Sequence, residues 1–68
     1  MKITAEQFRQ TRKARGMTLS QVADEIGVDR STVHRWDTGQ REPRGLYGRL
    51  HRAWVLGLAP FERYAREG

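Results

Sequence analysis

The sequence predicts an all-α fold, a compact bundle of four to five helices forming one domain over residues 1–68. Three observations predict it. Gly16, Gly27, Gly39 and Gly57 close successive segments, while Pro43 and Pro60 precede new ones. Three helix starts repeat one design, a short polar N-cap with an apolar residue before it and another one turn inside. No segment alternates apolar and polar residues as a half-buried strand does.

Each element follows in chain order. Thr4 caps a helix over about 5–14, with Gln7 returning the bond and Ile3 placed to pack on Phe8. Thr18 and Gln21 repeat this capping box for a helix over about 19–26, where Met17 meets Val22. Asp29 is expected to cap a third helix, about 30–38, through its side chain, with Val28 meeting Val33. A loop runs through Pro43. A fourth helix over about 45–56 is expected to turn Leu46, Leu50, Ala53 and Trp54 inward, at i, i+4, i+7 and i+8. A short fifth helix starts at Pro60 and carries Phe61, Tyr64 and Ala65.

Size and charge narrow the function. A chain of 68 residues buries only about 60% of its unfolded surface and is marginal unless helped. It has no cysteine, hence neither a disulfide framework nor a Cys-based zinc site. Oligomerisation is then a natural source of stability. The opening residues "MKITAEQFRQ" hold no apolar signal region. The longest apolar stretch, at 53–59, is far short of the roughly 20 residues that span a bilayer. A cytoplasmic protein with no membrane partner is expected. The formal charge is +5, and eleven of the thirteen basic residues are arginine. Arginine's planar fork suits phosphate and guanine edges, which points to a polyanionic partner.

The link between helices two and three sets the architecture. Gly27 ends one helix, and only Val28 and Asp29 separate it from the next. So tight a turn crosses the helices steeply, as in a helix-turn-helix over 18–39, and the small Ala23 permits close approach. Over residues 27–43 only Val28, Val33 and Trp36 are large and apolar. At about 100° per residue, Arg30, Ser31, His34, Arg35 and Thr38 share a sector of about 140°, with Val33 and Trp36 opposite. A solvated helix normally mixes charge signs. Here the centre of the face is cationic and rich in donors, as an element entering the groove of double-stranded DNA should be.

The stretch "MTLSQVADEIGVDRSTVHRWDTGQREP", 17–43, resembles the helix-turn-helix of the XRE family, the phage Cro and repressor type. With helix one and the start of helix four, the likeness covers roughly residues 8–56. It implies a lambda-repressor-like DNA-binding fold whose third helix lies in the major groove. On that likeness Arg30, Ser31, Thr32, His34 and Arg35 read bases or flanking phosphates. Thr18, Leu19, Thr38, Gln40, Arg41 and Arg44 contact the phosphate backbone, and Arg12 pairs with Asp37 to tie helix one to the end of helix three. Two positions depart from the family pattern. Leu19 stands where glutamine is common, which limits the contact there to a backbone N–H, and Thr11 replaces a usual leucine.

Catalysis is not expected. His34 and His51 are the only histidines, and no thiol or carboxylate cluster with metal spacing accompanies them. No metal, cofactor or small-molecule ligand is implied. Tyr47, Trp54, Val55, Leu58, Phe61 and Tyr64 offer more apolar surface than the last elements need. Trp54 is assigned to the core, and Val55, Leu58, Phe61 and Tyr64 to a homodimer interface in a C-terminal segment over about 54–68. Arg9, Lys13, Arg63 and Arg66 read as solubilising charge. Together these features describe a sequence-specific DNA-binding regulator, a dimeric repressor acting on an inverted-repeat operator. The resemblance implies a small phage or mobile-element operon, with controllers of restriction systems and anti-CRISPR operons as compact parallels. The competing reading is an antitoxin-like or other protein-binding module on the same fold.

Overall fold

The computed structural model describes residues 2–57. Within them lie four helices: α1 (Ala5–Ala14), α2 (Leu19–Ile26), α3 (Arg30–Thr38) and α4 (Gly45–Leu56). The fifth helix expected from Pro60 lies outside the described residues.

Local chemistry starts the first two helices. Thr4 Oγ1 accepts from the Gln7 amide at 3.1 Å, while the Thr4 amide donates to Gln7 Oε1 at 2.8 Å. Thr18 and Gln21 repeat the exchange at the same distances. Each box satisfies two backbone donors that the helix itself leaves unpaired. The third start differs from expectation. Asp29 is the N-cap residue but its carboxylate makes no capping bond. The Thr32 amide, which the carboxylate would have taken, donates instead to the Asp29 carbonyl at 3.1 Å.

The α2–α3 turn is tight because one carbonyl closes it. The amides of Gly27 and Val28 both donate to the Ala23 carbonyl, at 2.8 and 3.0 Å. Gly27 holds φ +93°, a left-handed conformation that costs a side-chain-bearing residue. Ala23 is buried where these elements meet.

The core is Phe8, Val22, Ala23, Ile26, Val33, Trp36, Leu50 and Trp54, with Met17, Leu19, Val28 and Val55 packed on it half-buried. Phe8 is its hub. Its ring lies 5.8 Å from Trp36 and 5.2 Å from Trp54, centroid to centroid. His51 completes the cluster, stacked on Phe8 at 4.8 Å and edge-on to Trp36 at 5.1 Å. Only 3% of its surface is exposed, and this burial lowers its pKa from 6.5 to about 4. The inward stripe of α4 is therefore Leu50, His51 and Trp54. Leu46, expected inside, is 44% exposed. It lies about 85° from the centre of that stripe and so falls at its margin.

Polar contacts complete the bundle. The Trp54 indole Nε1 donates to Glu25 Oε1 at 2.7 Å, pinning α4 to α2. Arg15 donates to the Trp54 and Val55 carbonyls at 2.8 and 3.2 Å, and its guanidinium lies 4.5 Å from the Trp54 ring centroid. It thereby adds a donor to two carbonyls at the end of α4, that of Trp54 already accepting from the Gly57 amide, where a cation is also electrostatically favoured.

Candidate nucleic-acid interface

The geometry of α3 starts at its inner side. Val33, Trp36 and Asp37 are buried. Asp37 receives Arg12 in a two-pronged pair, Nε to Oδ1 at 2.9 Å and Nη2 to Oδ2 at 3.3 Å. The remaining Arg12 nitrogen, Nη1, donates to the Met17 carbonyl at 3.0 Å. Arg9, read from sequence as solubilising, is half-buried and donates from Nη1 to the Asp37 carbonyl at 3.1 Å. Its position three residues before Arg12 puts both on one side of α1, a signal that the periodicity carried.

With Asp37 turned inward, the exposed side of α3 carries no carboxylate between Arg30 and Thr38. Arg30, Ser31, His34 and Arg35 are exposed, and Thr32 is half-buried. The Thr38 hydroxyl donates back to the His34 carbonyl at 3.0 Å. Arg30 and Arg35 occupy unlike surroundings. Arg30 shares a shallow groove with Asp24 and Asp29, between α2 and the start of α3. Arg35 lines another with Thr32, Gln40, Arg41, Arg44, Tyr47 and one acid, Glu42, which pairs with Lys2.

The loop after α3 is folded back onto it. Gly39 takes φ +80°, and the Arg41 amide donates to the Arg35 carbonyl at 3.4 Å. This return brings Arg41 and Arg44 to the groove that holds Arg35. Gln40, Arg41 and Arg44 are all exposed. Tyr47 flanks the same groove, with its ring 6.3 Å from Trp36.

At the start of α2, Thr18 is exposed and its oxygen already accepts the capping bond. Leu19 packs its side chain on the core. Any outward contact at that position therefore falls to the backbone N–H groups of the helix start.

Of the dimer surface read from sequence, Val55 alone falls within the described residues. Val55 is half-buried against the core of its own chain, whereas the neighbouring Leu56 is 47% exposed. Leu58, Phe61 and Tyr64 lie outside the described residues, as do Arg63 and Arg66. Among the described residues no group of three or more His, Asp or Glu side chains is placed to hold a metal ion. No described helix is long and apolar enough to cross a membrane.

A family profile described as a helix-turn-helix domain matches residues 5–61. The chain is also similar to a transposase for an insertion sequence element, IS21-like, of Bacteroides fragilis. The two are 35% identical over 54 residues, which is 79% of this chain and 10% of the transposase. The chain thus spans about a tenth of that relative's length. No solved structure matches it significantly.

Proposed function

The chain belongs to the helix-turn-helix domain family, and from that premise we propose that it reads double-stranded DNA with α3 in the major groove, as a dimeric repressor on an inverted repeat. The observation that carries the reading is the placement of Asp37. The single carboxylate of α3 is turned inward and neutralised by Arg12, so the solvent side of the helix presents Arg30, Ser31, His34 and Arg35 with no acid of α3 among them. Arg41 and Arg44, with Gln40 and Thr38, supply phosphate contacts that position the helix without reading sequence. The role is binding rather than catalysis. The XRE-type likeness of residues 17–43 favours a repressor, which needs only a reader and an interface. One recognition helix covers few base pairs, so a pair related by a dyad, about 34 Å apart on one DNA face, would supply the affinity.

Arg35 is the stronger candidate for a bidentate contact to guanine, since two acids, Asp24 and Asp29, lie beside Arg30, whereas Glu42 in the groove of Arg35 is paired with Lys2. The test is alanine at each position, measured on a panel of single-base operator variants and across salt. A base-reading arginine relaxes preference at one position by about 1–3 kcal/mol. Six or so phosphate contacts per dimer would give a log–log salt slope of about −5. If both substitutions lower affinity evenly over the panel, neither arginine reads sequence.

The transposase likeness favours a second reading, in which the domain is the DNA-recognition module of a longer protein. Selection of bound duplexes from a random library separates the two. The repressor reading requires two inverted half-sites, and the module reading a single asymmetric site.

A further inference from the structure

A second cationic tract adjoins the surface just assigned and shares Arg44 with it. Helix α4 contains no acidic residue. Arg49 and Arg52, one turn apart on it, are exposed and make no ion pair or hydrogen bond among the described residues. They line one groove with Lys2, Glu42, Arg44 and Gly48. Glu42 is its only acid, and Lys2 Nζ stands 3.1 Å from Glu42 Oε2. Three guanidinium groups are thus left without a counter-charge. A helix face that merely meets solvent mixes signs; this one has a single sign, borne by residues whose planar fork matches phosphate oxygens.

Position supplies the second part of the argument. Glu42 and Arg44, with Pro43 between them, line both this groove and the one holding Arg35 and Arg41. The cationic surface is therefore continuous from α3, across the 42–44 ridge, onto α4. We propose that Arg49 and Arg52, together with Arg44, hold the sugar–phosphate backbone of duplex DNA beyond the segment that α3 reads. The contact is independent of sequence and lengthens the footprint of each domain. It rests on the DNA-reading role proposed for α3.

The test uses the full chain carrying Arg49→Gln and Arg52→Gln, both exposed positions, with thermal melting to verify an unchanged fold. Binding is measured on two duplexes sharing one central inverted repeat, roughly 18 and 30 base pairs long, the shorter already spanning both half-sites, over a range of salt. Wild type should bind the longer duplex more tightly. The variant should lose most of that gain, and its log–log salt slope should flatten by up to about 2 for each bound domain, while its ranking of single-base operator variants stays the same. An unchanged slope and an unchanged gain with length would overturn the proposal and leave the α3 reading standing. If instead wild type shows no base preference but the variant still loses slope, the α3 reading fails and the backbone contact survives.

Discussion

Acidification should unfold this domain through one imidazole. His51 sits between Phe8 and Trp36, 3% exposed, and its pKa falls from 6.5 to about 4 on burial. Between those values the unfolded chain binds a proton that the folded chain refuses. The stability contributed by neutral His51 is therefore complete above about pH 6.5 and drains away as the pH falls toward 4. At about 1.4 kcal/mol per pH unit, the full gap amounts to about 3 kcal/mol. A domain of this size has roughly 3–10 kcal/mol in total, so the loss is a large fraction of it. The comparison that isolates His51 is His51→Phe, which keeps a ring on Phe8 and cannot titrate. Urea unfolding of both proteins at several pH values from 7.5 to 4 would subtract the carboxylates common to the two. The wild type should lose about 3 kcal/mol more than the variant over that range. Parallel curves would refute the argument, because a histidine that protonates freely in place has no buried neutral form to lose.

Two further perturbations test the supports of α3. Replacing Arg12 by alanine strands the Asp37 carboxylate, whose side chain is only 10% exposed, and should cost about 3 kcal/mol in urea unfolding. Adding Asp37→Asn should recover part of it, and a loss below about 1 kcal/mol would class the pair with weak surface bridges. Thr18→Ala should cost about 1 kcal/mol through its cap, whereas Asp29→Ala, with no capping bond to lose, should cost a few tenths. Equal melting-point shifts for the two would contradict the difference between the helix starts.

The helices were legible because their signals are local. Caps, staples and closing glycines act over four or five residues and mark α1 to α3, while apolar spacing marks α4, and all four described helices lie where these signals put them. What escaped the sequence was tertiary substitution of polar groups for apolar ones. Phe8 is the single large apolar residue within α1, and half-buried Arg9 and Arg12 add to its inner face, the Arg12–Asp37 pair being the one such contact that the family likeness supplied. A histidine took the inward place on α4 and displaced Leu46 to the margin. Such roles depend on partners 25 to 40 positions away, and hydrophobic periodicity does not see them. On the candidate interface, the exposed positions of α3 followed from its period, while the unequal settings of Arg30 and Arg35 needed the neighbouring elements in place.

Phe8 touches Trp36, His51 and Trp54 at once, and this bears on how portable the recognition unit is. A peptide carrying only α2, its turn and α3 would lose Phe8, Leu50 and Trp54, the part of the core that α1 and α4 supply. It would also strip Asp37 of both arginines. Grafting the outward residues of α3 onto another protein therefore means transferring a frame that reaches from Thr4 to Val55. Conversely, the side chains at 30, 31, 34 and 35 touch nothing that holds the frame up. They form a set that the fold leaves free to vary, so under the reading proposed for α3 the scaffold would be re-addressed to new base sequences by substitution at four exposed positions.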